Sequence, residues 1–148
     1  MDIVIASMHS PCYGESRGIE GNTKAYINAM KNPYVQIIGH PDDGRFPVDY
    51  EAIVKMAKET GTLLEINNSS LAPGGFRENT RENSLQMLKL CKKYGVAITT
   101  GSDSHIDVEV GQFDYAYDVL AECDFPEELV ATTSYEKLLR HLKQWKKC

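Results

Sequence analysis

The stretch Gly101-Ser102-Asp103-Ser104-His105 puts a carboxylate and an imidazole two residues apart. It follows directly on Val96-Ala97-Ile98-Thr99-Thr100, an apolar, β-branched run of the kind that forms a buried strand. In α/β proteins, chemistry gathers at the carboxyl ends of parallel strands. Two more apolar runs also end in histidine: Ile3-Val4-Ile5-Ala6 leads to His9, and Val35-Gln36-Ile37-Ile38 leads to His40. A fourth run, Leu63-Leu64-Glu65-Ile66, opens into Asn67 and Asn68. Imidazole and carboxylate converging on one rim suit borderline divalent metals such as zinc or manganese. Taken singly, Asp103 is as well read as a turn cap and each histidine as a loop hydrogen bonder. Three strand exits with histidine, one of them also with aspartate, favour the metal reading. Asn67 and Asn68 are weaker signals, since asparagines after a strand commonly just make the turn. Arg45 and Arg77 lie in the same rim loops. Arginine holds phosphate through two parallel hydrogen bonds, so either could bind an anionic substrate, or simply be solvated.

Elements must alternate for these residues to share a rim. Strands are expected over residues 2–7, 35–38, 62–66 and from 96, with a short fifth over 129–132. Between them the apolar positions fall at i, i+3, i+4 and i+7, one face of a helix. Thr23, Tyr26, Ile27 and Met30 do so over residues 22–30, ended by Asn32-Pro33. Tyr50, Ile53, Val54 and Ala57 do so behind the N-cap Asp49 and before Gly61. Leu85, Leu88 and Cys91 mark a helix over residues 83–93, before Gly95. Ala116, Val119, Leu120 and Cys123 mark the next. A last helix carries Tyr135, Leu138, Leu139 and Leu142, with a capping box from Thr133 to Glu136 and a basic end over residues 143–147. Strand–helix repeated in this way indicates an α/β fold with a parallel sheet and right-handed crossovers.

The chain of 148 residues reads as a single domain over 1–148 with enough material for a core. Its net charge of −5 argues against non-specific binding to nucleic acid or to an anionic membrane. No apolar run reaches the roughly 20 residues of a membrane helix. The start has no basic n-region, and the chain reads as cytoplasmic. Cys12, Cys91, Cys123 and Cys148 form no CxxC pair, which fits reduced thiols.

The motifs and their order resemble the PHP family, named for polymerase and histidinol phosphatase, and in particular its small stand-alone bacterial phosphatases. The matching stretches are Asp2-Ile3-Val4-Ile5-Ala6-Ser7-Met8-His9, Ile37-Ile38-Gly39-His40-Pro41, Leu64-Glu65-Ile66-Asn67-Asn68-Ser69-Ser70 and Gly101-Ser102-Asp103-Ser104-His105. The resemblance extends to the C-terminal helix. It implies parallel (β/α) units forming part of a distorted seven-stranded, TIM-like barrel with three metals, usually zinc or manganese, at its carboxyl rim. It implies phosphoester hydrolysis on a small phosphomonoester or nucleotide by metal-activated water. On that pattern His9 and His40 share one metal, Asp103 binds a second and His105 a third. Asp103 and His105 are the catalytic pair, and Asn67, Asn68, Arg45 and Arg77 are the candidates for substrate binding.

PHP proteins also carry an opening His-x-His strand, two further histidines and a bridging glutamate, none of which is matched here. The chain therefore reads as the C-terminal portion of a PHP domain, through a truncated reading frame, a split gene or a deliberate fragment. Its expected partners are a small phosphorylated substrate and either a second copy or the absent N-terminal half, with no membrane and nucleic acid disfavoured. Two alternatives stand beside the enzyme: a non-catalytic metal-binding or scaffold half-barrel, and a PHP domain detached from a DNA polymerase.

Overall fold

The computed structural model of the protein describes residues 3–142. Four strands form one parallel sheet: β1 (Ile5–Ala6), β2 (Ile37–Ile38), β3 (Leu63–Asn67) and β4 (Ile98–Gly101), in the spatial order β1-β2-β3-β4. The crossovers are helical. α1 (Ser10–Tyr13) and α2 (Gly18–Lys31) join β1 to β2, and α3 (Tyr50–Thr60) joins β2 to β3. α4 (Asn68–Leu71) and α5 (Thr80–Tyr94) join β3 to β4, and α6 (Asp114–Glu122) and α7 (Tyr135–His141) follow.

Strand residues alternate between faces, so Leu64 and Ile66 share one and Leu63, Glu65 and Asn67 the other. The first face carries the larger core: Ile38, Leu64, Ile66 and Ile98 pack with Met30, Ile53, Val54, Met87, Leu88 and Val119 from the helices. Each such fully buried side chain stabilises by roughly 1.5–3 kcal/mol relative to exposure. The second face has a smaller cluster, Ile37, Leu63, Ala97 and Ala131, with Ile3 and Leu138 against it. Further toward the carboxyl ends this face turns polar, and the candidate residues lie there.

Helix ends follow local chemistry. The Asp49 side chain accepts from the Ala52 N–H at 3.0 Å, and Gly61 ends α3 in the left-handed conformation at φ 69°. Gly95 ends α5 the same way at φ 64°. The buried face of α3 is the expected Tyr50, Ile53, Val54 and Ala57.

Several expectations are corrected. The expected fifth strand over residues 129–132 is two 3-10 turns, Glu127–Leu129 and Ala131–Thr133, with one bridge from Val130 to Ile98. The reason is hydroxyl chemistry: Thr100 N–H donates to Thr132 Oγ1 at 3.0 Å, and Thr133 Oγ1 donates to the Val130 carbonyl. Side chains thus take up groups that a ladder would have used. The cap of α7 is Ser134, accepting from Lys137 N–H, not Thr133. Strands β1 and β2 are shorter than expected, and the turn after β3 is the helix α4. Helix α5 starts at Thr80, before the expected residue 83. The seven strands of a barrel are not formed by the described residues, which give a four-stranded sheet. The basic end over residues 143–147 and Cys148 lie outside the described residues. Among the described residues, no helix is long and apolar enough to cross a membrane.

Candidate functional site

His9 follows β1 as the N-cap residue of α1, and its carbonyl accepts from Cys12 and Tyr13 N–H. His40 follows Gly39 beyond β2 and takes φ +33°, the left-handed region that non-glycine residues seldom enter. The two rings meet edge to face with centroids 4.7 Å apart, and their Nε2 atoms stand 3.2 Å apart. Two ligands of one tetrahedral zinc at ordinary Zn–N lengths are separated by roughly 3.3 Å. The pair therefore fits a shared ion. His9 Nε2 also meets Ser7 Oγ at 2.9 Å. Burial pushes the His40 pKa down to about 4, helped by the charge of Arg77 and by His9. The ring is thus neutral near pH 7, the form in which histidine binds metal. His40 Nδ1 is buried with no partner among the described residues.

Asp103 also has left-handed backbone, at φ +52°. Its Oδ2 accepts from Arg77 Nη2 at 2.9 Å. Burial raises its pKa, but hydrogen bonds from Arg77 and Asn67 and the guanidinium charge outweigh this and hold it below the usual carboxylate range. His105 is 86% exposed, with Nε2 3.9 Å from Asp103 Oδ1. The structure thus joins His9 to His40 and sets Asp103 beside His105. Among the described residues, no three or more of His, Cys, Asp and Glu gather into a metal-holding group.

The four residues considered for substrate binding differ in how committed they are. Asn68 Oδ1 accepts from Ala116 N–H at 3.0 Å, tying α4 to α6. Asn67 caps α4 through Ser70 N–H at 2.9 Å. Arg45 forks onto Asp43, with Nη2 2.6 Å from Oδ2. Arg77 is the more enclosed of the two arginines, its side chain 6% exposed against 29% for Arg45. Its Nη1 donates to Asn67 Oδ1 and Ser70 Oγ, and its Nε is buried without a partner among the described residues. The exposed ring of Phe76 meets both guanidinium groups, its centroid 4.7 Å from Arg45 and 5.3 Å from Arg77.

Two carboxylates in this region were not singled out from the sequence. Asp42 is fully buried; Ser84 Oγ donates weakly to its Oδ2 at 3.4 Å, and Oδ1 has no partner among the described residues. Burial pushes its pKa up to about 7 against backbone hydrogen bonding and the Arg77 charge. Glu65 points to the polar face from the middle of β3. Its Oε2 accepts from His40 N–H at 2.8 Å and from Asn67 Nδ2 at 3.1 Å. Burial raises its pKa despite these two bonds. The available signal for Glu65 was a carboxylate interrupting an apolar strand.

No family model matches the chain. It is 48% identical over 143 residues to a protein of Clostridium novyi named a probable phosphatase. It is 46% identical over 146 residues to one of Acetivibrio thermocellus and 45% identical over 147 residues to one of Thermoanaerobacter sp., both with the same name. These matches cover 97% to 99% of this chain but 57% to 59% of the relatives. The chain thus spans somewhat more than half the length of the curated relatives it matches.

Proposed function

We propose that the chain is the rim-bearing portion of a metal-dependent phosphatase or phosphoesterase of the PHP type, acting on a small phosphomonoester or nucleotide. The observation that carries this reading is the pair of imidazole nitrogens, His9 and His40 Nε2, 3.2 Å apart beyond the ends of parallel strands. The names of the similar proteins support phosphate chemistry. The strand order supports an arc of a barrel: each strand neighbours the next in sequence, whereas a doubly wound sheet reverses order part-way.

His9 and His40 would hold one ion, zinc or manganese, and Asp103 and His105 would contribute to others. When bound, the metals supply an activated water and neutralise charge on the phosphoryl group. Arg77 brings a buried positive charge to Asp103. A phosphoryl group entering the rim competes for that guanidinium, and Arg45 adds a second. His105 lies exposed beside Asp103, where it would hold its metal at the open side of the rim. Asn67 orients Arg77, and Asn68 fixes the start of α6.

The remaining ligands belong to a segment corresponding to the rest of the relatives' length. A second reading, that this chain alone binds metal weakly without turnover, is favoured by the lack of any group of three metal ligands among the described residues. Calorimetric titration with Zn²⁺ and Mn²⁺, with hydrolysis of p-nitrophenyl phosphate, tests both. Metal binding lost in His9→Ala and in His40→Ala supports the shared ion; binding unchanged in both overturns it. Turnover is expected to be slight in this chain and restored when the remaining segment of a relative is joined to its N-terminus. Full turnover by the chain alone overturns the incomplete-site reading.

A further inference from the structure

Gly101 at the end of β4 and Gly39 just beyond β2 flank β3, and neither takes a left-handed backbone that would demand glycine. Space accounts for both. A Cβ on Gly101 would lie 2.1 Å from Glu65 Oε1, and one on Gly39 would lie 3.1 Å from Ile5 Cγ2 and 3.5 Å from Glu65 Oε2. The Glu65 carboxylate therefore fills the space that Gly101 leaves open, whereas at Gly39 the tight contacts would be to Ile5 and to Ser7 Cβ at 3.2 Å.

From that space it reaches both halves of the rim. One oxygen, Oε2, accepts from His40 N–H and from Asn67 Nδ2. Asn67 Oδ1 in turn accepts from Arg77 Nη1 at 3.2 Å, and Arg77 Nη2 holds Asp103. One connected set of hydrogen bonds thus runs from the His9–His40 pair to Asp103, crossing β2, β3 and β4. His40 and Asp103, the two rim residues with left-handed backbone, are its two ends. Backbone of that kind persists only where surrounding contacts over-determine it.

We propose that Glu65 is the positioning residue of the rim: from the space left by Gly101 it fixes the His40 backbone and, through Asn67 and Arg77, the direction of Asp103. It is not itself a ligand. Its consequence for metal affinity rests on the metal reading above, and its hold on His40 does not. Groups that orient ligand histidines typically change metal affinity roughly 10–100-fold when removed.

The test uses the chain and two variants, Glu65→Gln and Gly101→Ala. The first keeps the shape and weakens the acceptor; the second keeps the carboxylate and displaces it. In metal-free protein labelled with nitrogen-15, the His40 amide proton, bonded to a carboxylate, is expected downfield. It should move upfield in both variants while the amides of α3 stay in place. Zn²⁺ affinity is expected to fall roughly 10–100-fold in both, and the visible spectrum of bound Co²⁺ should change, with both variants still melting cooperatively. An unmoved His40 amide in both variants overturns the proposal. So does parental Zn²⁺ affinity with an unaltered Co²⁺ spectrum. If the parent binds neither metal while the His40 amide still shifts, the metal reading falls and the hold of Glu65 on His40 stands.

Discussion

Asp42 shows how a single buried carboxyl ties stability to pH. Its pKa is pushed up to about 7 from an ordinary 3.8, first by burial. The folded state therefore binds a proton more tightly than the unfolded chain. The associated stability is complete below about 3.8 and is lost as pH rises through about 7. In metal-free protein, Asp42→Asn is expected to raise the melting temperature at pH 8 by several degrees and at pH 5 by much less. Thermal melts at the two values check this, and an equal gain at both would mean that ionisation is not the cause. His40 works in the opposite sense over part of this range, its lowered pKa costing stability as pH falls from about 6.5 toward 4. The comparison should therefore be between variant and parent at each pH. The sequence was informative about His9 and His40, because strand-exit histidines are visible as a pattern. It was mute about Asp42 and Glu65, since the burial of a carboxylate depends on neighbours distant in the chain: Ser84 for the first, and Gly101 for the second.

The helices were the most legible elements. The 3.6-residue spacing of Tyr50, Ile53, Val54 and Ala57, the cap at Asp49 and the glycine at 61 all agree on α3, and each signal is local. Asp49→Ala removes the acceptor for Ala52 N–H and should cost about 1 kcal/mol in denaturant unfolding; no loss would mean that another group caps the helix. The fifth strand misled because its β-branched residues do fit a strand, and only tertiary contacts reveal that Thr132 answers Thr100 with its hydroxyl instead of its backbone. The capping box failed by one residue for a related reason. Ser134 and Thr133 are chemically equivalent caps, and the choice depends on where the preceding 3-10 turn ends.

At the scale of the molecule, β1 pairs with β2 on one side and with no other strand among the described residues. Ile5 on it is 55% exposed. An open edge beside exposed apolar surface invites another strand. Light scattering over a concentration series should show association, weakened by Ile5→Lys. A monomer at all concentrations would count against it. The alternation of strands and helices was readable through β4, but closure of the sheet was not, since periodicity fixes neighbours along the chain without fixing how far the sheet curves.

The consecutive strand order has a consequence for how the chain acquires its structure. Every strand docks on the one synthesised just before it, so each pairing closes a segment of only roughly 30 residues, and the entropy of closure rises slowly with length. No early strand has to wait, unpaired, for a later one to pass between it and its neighbour. Assembly can thus proceed stepwise behind the ribosome. His9, His40 and Asp103 would be brought to the rim in the order in which they are translated.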